Sequence, residues 1–177
     1  MSGKGLHIVL IGFMGSGKST IGKMLAQRLN RPLVDTDQEV ENREGITIAK
    51  IFEEKGESYF RKIENDVLQS FLKSDTPSVI ATGGGAPCFL DGMKYIGKYG
   101  YSFYLKVGRM TLLDRIEGDK SRPLAGHKTK SELKQFIDMS LSKREKFYKM
   151  ANRTIQAINP PKALVTRILR YLDKEQI

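Results

Sequence analysis

The residues with the clearest capacity for chemistry form one glycine-rich run near the beginning of the chain. The run from Gly12 to Ser19 reads Gly-Phe-Met-Gly-Ser-Gly-Lys-Ser and matches the phosphate-binding pattern G-x-x-x-x-G-K-S/T. Glycines allow backbone N–H groups to turn toward phosphate oxygens, and a helix that begins there adds its positive dipole end. In such a loop Lys18 reaches the β and γ phosphates of a triphosphate, and the Ser19 hydroxyl is a ligand for Mg²⁺.

The sequence on either side of this run predicts the strand, loop and helix order that a triphosphate site requires. Leu6 to Ile11 is a short apolar stretch, typical of a strand buried on both faces. Beyond the glycines, apolar residues recur at helical spacing at Ile21, Met24, Leu25 and Leu29. One alternative is a glycine-rich turn that precedes an ordinary helix. A dinucleotide site fits poorly, because the glycines do not follow the order G-x-G-x-x-G.

Two aspartates that follow predict a second part of the same site. A short strand that begins at Leu33 is expected to end in Asp35-Thr36-Asp37. Ligands of open α/β sheets bind beyond the carboxyl ends of the strands, which is the edge that carries the glycine-rich loop. One aspartate could hold Mg²⁺ through water, and the other could accept a hydrogen bond or a proton from a substrate hydroxyl. Alternatively the carboxylates cap a helix over 38–44, a task that suits Asp37 too.

Two amphipathic helices are predicted next, separated by Gly56. The first is short, and the second runs from about 58 to 72. The apolar stripe of the second comprises Phe60, Ile63, Val67 and Phe71. Arg61 and Glu64 fall outside that stripe, so we expect an exposed ion pair that contributes little to stability.

A third predicted strand, over 78–82, ends in Gly83-Gly84-Gly85. Three consecutive glycines cost conformational entropy, so a simple turn does not need them. We expect them to permit close approach of the backbone to a ligand. The alternative is a loose loop before a helix over 91–98. A fourth strand over 101–107 follows.

The polar segment 118–130, which comes after a helix over 110–116, predicts a lid. Its apolar pattern lapses, and a polar segment of this length inside a compact domain is either disordered or a lid. Arg122-Pro123 in its middle favours the lid, because an arginine there could close over phosphates and exclude water.

The remainder of the chain completes an alternation of strands and helices. A long helix carries Arg144 near its end, and a fifth strand over 154–158 leads into the turn Asn159-Pro160-Pro161. A last amphipathic helix runs to about Leu172. This alternation predicts a doubly wound, mainly parallel sheet covered on both faces.

Length and composition exclude several classes of protein. The 177 residues, 40% of them apolar, suit one domain with one core. The first residues are polar and no apolar run approaches the roughly 20 residues of a membrane span, so we expect neither a signal peptide nor a transmembrane helix. The single Cys88 excludes an internal disulfide framework, and two scattered histidines offer no zinc pattern. We expect a cytoplasmic protein.

The formal net charge of +10 favours an anionic partner. A basic face could indicate nucleic acid. However, lysine and arginine are spread along the whole chain and no nucleic-acid recognition motif is present, so we expect no nucleic-acid partner. An anionic small-molecule substrate accounts for part of the charge.

Taken together, these segments resemble the shikimate kinase family. The motifs occur in family order over nearly the whole chain: Gly12 to Thr20, Asp35-Thr-Asp37, Gly56-Glu-Ser-Tyr-Phe-Arg61-Lys-Ile-Glu64, Ala81-Thr-Gly83-Gly-Gly85, Ser121-Arg122-Pro-Leu124 and Arg144-Glu-Lys-Phe-Tyr148. The aspartate pair with Phe-Arg-x-x-Glu and Gly-Gly-Gly is much more specific than the phosphate loop. One departure lies in the lid, where the family usually shows Arg-Pro-Leu-Leu and this chain has Leu124-Ala125.

The resemblance implies both a fold and a reaction. The fold is that of a P-loop kinase of the nucleoside monophosphate kinase type, with a five-stranded parallel sheet flanked by helices. A single domain would span 1–177, with a lid at about 118–130 and substrate-binding helices at about 38–72. The reaction is transfer of the ATP γ-phosphoryl group, with Mg²⁺, to the 3-hydroxyl of shikimate, a step of aromatic amino-acid biosynthesis. The family also suggests a monomer.

The resemblance assigns the substrate side of the site to residues from three segments. Asp37 would hold the ring hydroxyls and is the candidate base, while Arg61 and Arg144 would clamp the substrate carboxylate. Two arginines suit a planar carboxylate, which accepts a bidentate fork from each. Gly83 to Gly85 would lie along the substrate, with Gly84 the best candidate for a backbone hydrogen bond.

On the nucleotide side, the resemblance adds residues outside the phosphate loop. Asp35 would support Mg²⁺ through water together with Ser19, Arg122 would close onto the phosphates, and Arg115 with the Asn159-Pro160 turn would border the adenine. The loop contacts to ATP are expected from Gly15, Ser16, Gly17, Lys18, Ser19 and Thr20. Lys18, Asp37 and Arg122 form the expected catalytic set, because phosphoryl transfer requires charge neutralisation and alignment of the hydroxyl.

Two other readings of the sequence stay open. Another small-metabolite or nucleotide kinase of the same fold, such as a gluconate or nucleoside monophosphate kinase, shares the phosphate loop, and gluconate also carries a carboxylate and hydroxyls. A non-enzymatic P-loop module that uses ATP as a switch for partner binding would need no acceptor site. It leaves the aspartates and the arginine clamp unexplained.

Overall fold

A central sheet of five parallel strands organises the molecule, as the alternating pattern predicts. The structure is a computed structural model that describes residues 6–117, 128–158 and 160–177. The strands lie in the order β2-β3-β1-β4-β5. They are β1 His7–Ile11, β2 Leu33–Asp35, β3 Val79–Ala81, β4 Gly100–Lys106 and β5 Arg153–Gln156. Since all neighbours pair in parallel, the carboxyl ends of the strands share one edge.

Helices cover both faces of this sheet. They are α1 Lys18–Leu29, α2 Thr36–Glu44, α3 Ile48–Leu72, α4 Gly92–Tyr99, α5 Arg109–Ile116, α6 Lys130–Tyr148 and α7 Pro161–Glu175. A 3₁₀ turn, Ala86–Cys88, precedes α4. Every residue of β1 is buried, because this strand lies at the centre of the sheet with helices on either side. None of the helices within the described ranges is both long and apolar enough to cross a membrane.

The second strand ends two residues earlier than predicted, which changes the place of the aspartates. Asp35 is the last strand residue and the N-cap of α2, where its Oδ1 accepts a hydrogen bond from the backbone N–H of Asp37 at 3.2 Å. Asp37 therefore lies in the first helical turn. Of the two aspartates, Asp35 is the one that caps the helix. The backbone of Asp35 is extended, which directs its carboxylate toward the free N–H groups of the first turn.

The predicted break at Gly56 is confirmed. Gly56 has φ 78° and ψ 171° inside α3, a conformation that interrupts the helix and that glycine adopts without steric penalty. The two arms of α3 and the helix α2 bury a small apolar cluster of their own. Its buried members are Val40, Ile51, Phe60, Ile63 and Val67. The helices expected to bind substrate thus have a separate small core beside the main one.

Two predicted features lie outside the described residues in whole or in part. The lid expected at 118–130 includes Arg122, and only its last three residues are described. Asn159, expected near the adenine, also falls in a gap of the described ranges. The roles of Arg122 and Asn159 stay predictions.

Candidate active site

The loop after β1 wraps around the amino end of α1. Gly17 has φ 92° and caps this helix, a backbone conformation that suits glycine. The buried Lys18 ammonium donates hydrogen bonds to the carbonyl oxygens of Gly12 and Phe13, each at 3.0 Å. The Ser16 hydroxyl oxygen is buried and has no hydrogen-bond partner among the described residues. A buried hydroxyl without a partner is costly, so Ser16 is suited to an anion that enters the loop.

The first residues of α1 join this loop to β2. The Ser19 hydroxyl donates to Asp35 Oδ2 at 2.6 Å. A hydroxyl from the start of α1 and a carboxylate from the end of β2 thus meet beside the phosphate loop, and oxygen ligands are those that Mg²⁺ prefers. Among the described residues, no group of three or more His, Cys, Asp or Glu side chains could hold a metal ion. This pair therefore fits a cation that is also held by phosphate oxygens and water.

The glycine segment after β3 contacts three neighbours at very short range. A methyl group on Gly83 would collide with the carboxylates of Glu64 and Asp37, and one on Gly85 would collide with the Arg61 guanidinium. A methyl group on Gly84 would lie 3.3 Å from the backbone nitrogen of Met14 in the phosphate loop. The predicted close approach is thus explained in this structure by protein groups.

Hydrogen bonds hold this glycine segment from two sides. The Gly83 N–H donates to the hydroxyl of the fully buried Thr36 at 2.8 Å. The Tyr148 hydroxyl donates to the Gly84 carbonyl at 2.6 Å. The segment is therefore a fixed connection between α2, α6 and the phosphate loop.

Arg61 and Glu64 are buried, so the expectation of an exposed ion pair is wrong. Arg61 is 7% exposed and Glu64 is 1% exposed. The Arg61 Nη1 donates to Glu64 Oε2 at 2.8 Å, while Nε and Nη2 donate to Glu57 Oε1 at 3.2 and 2.9 Å. The apolar stripe of α3 predicts only one packed face, but the glycine segment and the 3₁₀ turn cover a second face of this helix.

These contacts leave part of the Arg61 guanidinium available. Within the described residues they use three of its five N–H donors. A planar carboxylate accepts two parallel N–H bonds from one guanidinium. Arg61 can therefore bind an anionic group without releasing its own carboxylate partners.

The Glu64 carboxyl lies in a low-dielectric position between charges of both signs. Burial raises its pKa to about 7, the Asp37 charge adds to that rise, and the guanidinium groups of Arg61 and Arg144 oppose it. Arg144 also interacts electrostatically with Cys88, and its Cζ lies 5.7 Å from the centroid of the Phe13 ring. Arg61, Arg144 and Asp37 therefore surround one small region beside the phosphate loop.

A cavity of about 720 Å³ runs along the sheet edge from the phosphate loop. The predicted site residues that line it are Gly15, Ser16, Gly17, Lys18, Ser19, Thr20, Asp35, Asp37, Gly84 and Arg115. Arg115 donates to the Gly15 carbonyl at 3.0 Å, so it braces the loop. Gly83, Gly85, Arg61 and Arg144 are not among the lining residues. Gly83 lies against Asp37 and Arg144 lies near the loop residue Phe13, while Gly85 and Arg61 contact each other beside them.

Several residues of this site have no role in the sequence-based predictions. Thr36 and Tyr148 position the glycine segment, and Glu57 holds Arg61. The periodicity of α3 gives no signal for Glu57. Tyr148 belongs to a motif that resembles the family, but its hydroxyl contact joins residues 64 positions apart. No local pattern predicts such a pairing.

Comparison with known proteins identifies the family of the chain. A family model described as shikimate kinase matches residues 14–173. A shikimate kinase of Sulfurihydrogenibium is 40% identical over 169 residues, which are 95% of this chain and 98% of the relative.

Two solved structures extend the likeness to the fold. Shikimate kinase from Bacteroides thetaiotaomicron gives a TM-score of 0.88 at 35% identity and covers 95% of this chain and 98% of its own. Shikimate kinase from Acinetobacter baumannii, solved in complex with shikimate, gives 0.89 at 32% identity and covers 97% of this chain and 95% of its own. The predicted fold of a P-loop kinase of the nucleoside monophosphate kinase type is confirmed. This chain belongs to the shikimate kinase family.

Proposed function

We propose that this protein transfers the γ-phosphoryl group of ATP to the 3-hydroxyl of shikimate, which gives shikimate 3-phosphate and ADP. Membership of the shikimate kinase family gives the reaction class, and the related Acinetobacter enzyme is known in complex with shikimate. The reaction is a step toward chorismate and the aromatic amino acids. The observation that carries the proposal is the glycine segment, which touches the phosphate loop through Gly84 and both Asp37 and Arg61 through its other glycines.

The substrate carboxylate is assigned to Arg61 and Arg144. Two donors of Arg61 are available for a bidentate contact, and Arg144 approaches the same region from α6. Fixing the carboxylate at two points orients the ring, so that a chosen hydroxyl faces the phosphate loop. Gly83 to Gly85 then lie along the ring, and their backbone groups supply the remaining contacts.

Asp37 is assigned to the reacting hydroxyl. Its carboxylate lies at the exposed start of α2, on the cavity that the phosphate loop also lines. An aspartate there accepts a hydrogen bond from the hydroxyl and aligns its oxygen with the phosphorus. Proton transfer to Asp37 accompanies phosphoryl transfer if the residue is a base, whereas a purely positioning Asp37 needs only the hydrogen bond.

The triphosphate is assigned to the loop from Gly15 to Thr20. The Lys18 ammonium neutralises charge on the β and γ phosphates, and backbone N–H groups with the Ser16 hydroxyl bind phosphate oxygens. Arg122 would add charge from the lid in the transition state, and Arg115 and Asn159 would border the adenine. Arg115 already contacts the loop through Gly15.

The Mg²⁺ of the reaction is assigned to Ser19 and Asp35. Their oxygens meet at 2.6 Å beside the loop, so the donor chemistry fits a hard cation. Ser19 and Asp35 would hold the cation, which would supply positive charge to neutralise the negative charge that develops on the phosphates. Asp35 also caps α2, so it fixes the position of Asp37 relative to this cation site.

The wider assignments follow from the same family. We propose a single domain over 1–177 that acts as a cytoplasmic monomer, with a lid at about 118–130 and substrate helices at about 38–72. The partners are the small molecules ATP and shikimate, without nucleic acid or membrane.

The proposal is tested by measuring ADP release from the purified protein with Mg²⁺ and ATP. Shikimate, gluconate and nucleoside monophosphates are compared as acceptors. We expect stimulation by shikimate alone. Stimulation by gluconate or a nucleotide would support the assignment of ATP to the phosphate loop and would overturn the assignment of shikimate as acceptor. Tight ATP binding without stimulation by any acceptor would instead favour a nucleotide-dependent binding module.

A further inference from the structure

An exposed aromatic side chain outside the predicted site residues lies against Arg61. The Arg61 Cζ is over the ring of Phe89, 4.3 Å from its centroid. Phe89 follows the 3₁₀ turn and is 38% exposed, so its ring has one side on the guanidinium and another in solvent. A partly exposed phenylalanine gains less from burial than a core residue does, and the contact with a cation is a further stabilising interaction at this position.

The two kinds of contact on Arg61 act in different directions. Glu57 and Glu64 accept hydrogen bonds from its N–H groups and therefore lie near the plane of the guanidinium. The Phe89 ring centroid lies 4.3 Å from Cζ, the centre of the guanidinium, whereas the Phe60 centroid is farther away at 5.1 Å. The two carboxylates by themselves would allow the guanidinium to tilt out of the plane of their hydrogen bonds. A ring on the face limits that tilt and also keeps water from that side.

The backbone beside Phe89 is strained in a way that serves this contact. Leu90 and Asp91 have φ of 47° and 61°, in the left-handed region that is sterically unfavourable for a leucine. The Gly92 N–H donates to the Phe89 carbonyl at 2.9 Å, and a side chain on Gly92 would collide with the Ala86 carbonyl. Such a tight reversal sends the chain directly into α4 and leaves Phe89 on Arg61. Strained residues persist where their surroundings or their function require them.

Phe89 is also continuous with the glycine segment. Gly85 lies against the Arg61 guanidinium, and its carbonyl accepts a hydrogen bond at 2.7 Å from the Cys88 N–H in the 3₁₀ turn. One short segment therefore contacts Arg61 at both of its ends. We propose that Phe89 is a positioning residue that fixes the plane of the Arg61 guanidinium for the carboxylate of the acceptor. This inference rests on the proposed function.

The test compares four single variants in steady-state kinetics with shikimate and with ATP. Phe89→Ala removes the ring, Phe89→Leu keeps apolar bulk without a π face, and Phe89→Tyr keeps the π face. Leu90→Ala is the matched control, because it truncates the exposed apolar residue next to Phe89 and keeps a non-glycine residue at the same backbone position. Thermal unfolding of each variant checks that the fold is retained.

We expect Phe89→Ala and Phe89→Leu to raise the KM for shikimate by about threefold to thirtyfold, the effect of losing one partly desolvated cation–π contact. The KM for ATP, the unfolding temperature and the Leu90→Ala control should stay near wild type. Phe89→Tyr should restore the wild-type KM for shikimate.

Three outcomes would overturn the inference while leaving the proposed function intact. They are a wild-type KM for shikimate in Phe89→Leu, equal changes of KM for both substrates, and a Phe89→Tyr variant as impaired as Phe89→Ala. A wild-type protein that does not phosphorylate shikimate overturns the proposed function itself, and this inference with it. The wild-type assay thus separates the two failures.

Discussion

At the scale of single residues, the buried pair of Arg61 and Glu64 joins the stability of the fold to its chemistry. Both groups lie where water cannot solvate them, so each needs the other. Breaking such a pair by removing one partner typically costs about 3–5 kcal/mol, because the second charge is left buried and unpaired. A change at Arg61 therefore tests binding only if stability is measured alongside.

We expect Arg61→Ala to raise the KM for shikimate at least about tenfold, the effect of losing one charge-assisted contact, and to change the KM for ATP much less. The free energy of unfolding should fall as well, since Glu64 loses its partner. Steady-state kinetics and urea unfolding measure the two effects. Arg43→Ala, at an exposed position on α2, is the control and should change neither. Equal effects of Arg61→Ala on both KM values would contradict the proposal that Arg61 binds the carboxylate of shikimate.

A second residue-scale prediction concerns His7 in the first strand. Its Nδ1 accepts the Ser78 N–H at 3.2 Å while Nε2 lies 3.2 Å from the Ser74 carbonyl, so the neutral ring carries its proton on Nε2. Burial lowers the pKa of His7 below its ordinary 6.5. The unfolded chain binds the proton more readily, so stability is fully present above the unfolded pKa and is lost as pH falls through the folded pKa.

The measurement is the free energy of unfolding in urea between roughly pH 5 and pH 8. Glu64, whose pKa is raised to about 7, acts in the opposite sense and stabilises the fold as pH falls, so the His7 contribution is measured as the difference between two proteins. The stability of wild type relative to His7→Gln, which cannot titrate at this position, should fall toward the acid end. The same acid slope in both proteins would mean that His7 does not contribute to it.

At the scale of elements, the glycine segment after β3 connects four others. It contacts the phosphate loop, α2, α3 and α6, and a methyl group added at Gly83 or Gly85 would collide with side chains of α2 and α3. Thr36 and Tyr148 fix its peptide groups from two sides. The glycines thus allow the phosphate loop, Asp37 and Arg61 to approach one short segment closely.

Gly85→Ala should displace Arg61 without straining the local backbone. Gly85 has φ −90°, which any residue adopts, but the added methyl group would collide with the guanidinium. We expect a rise in the KM for shikimate of about tenfold, comparable to the loss of one charge-assisted contact.

Gly97→Ala is the matched control for this variant. Gly97 lies inside α4 with open space around its Cα, so the methyl group there should raise stability by about 0.5–1 kcal/mol through helix propensity. Its kinetics should match wild type. A Gly85→Ala enzyme with unchanged KM values would show that Arg61 adapts freely, contrary to the positioning argument.

At the scale of the whole molecule, the sheet gathers separate segments at one edge, and the net charge draws anions to it. Loops after β1, β2 and β3 supply the phosphate site, the aspartates and the glycine segment. The formal charge of the chain is +10, and the two proposed substrates, ATP and shikimate, are both anions. A field of this sign raises the encounter rate of anions.

We expect kcat/KM for ATP and for shikimate to fall as ionic strength rises, because salt screens this field over about 8–10 Å. The effect should be larger for ATP, which carries more charge, and kcat should change little. Rates at increasing concentrations of sodium chloride, with sucrose as a neutral control for solution effects, measure it. A kcat/KM for ATP independent of salt would contradict electrostatic steering.

The local parts of the protein were determined by the sequence itself. The phosphate loop is a contiguous run whose glycines and helix start act on neighbouring residues, so its type is readable without a fold. The alternation of apolar runs and amphipathic stretches likewise predicts five parallel strands and the helix break at Gly56, since both depend on periodicity along the chain. The family motifs then predict most of the residues that are assigned to the site.

Only the tertiary structure decided which charged groups are buried and what they touch. The periodicity of apolar residues along α3 predicts one packed face. It gives no signal for the second face, which the segment from Gly83 to Phe89 covers. For that reason Arg61 and Glu64 are buried where an exposed pair was expected. The bonds of Tyr148 to Gly84 and of Thr36 to Gly83 join residues 64 and 47 positions apart. Such contacts arise when the sheet brings distant loops to one edge, and no local pattern in the sequence encodes them.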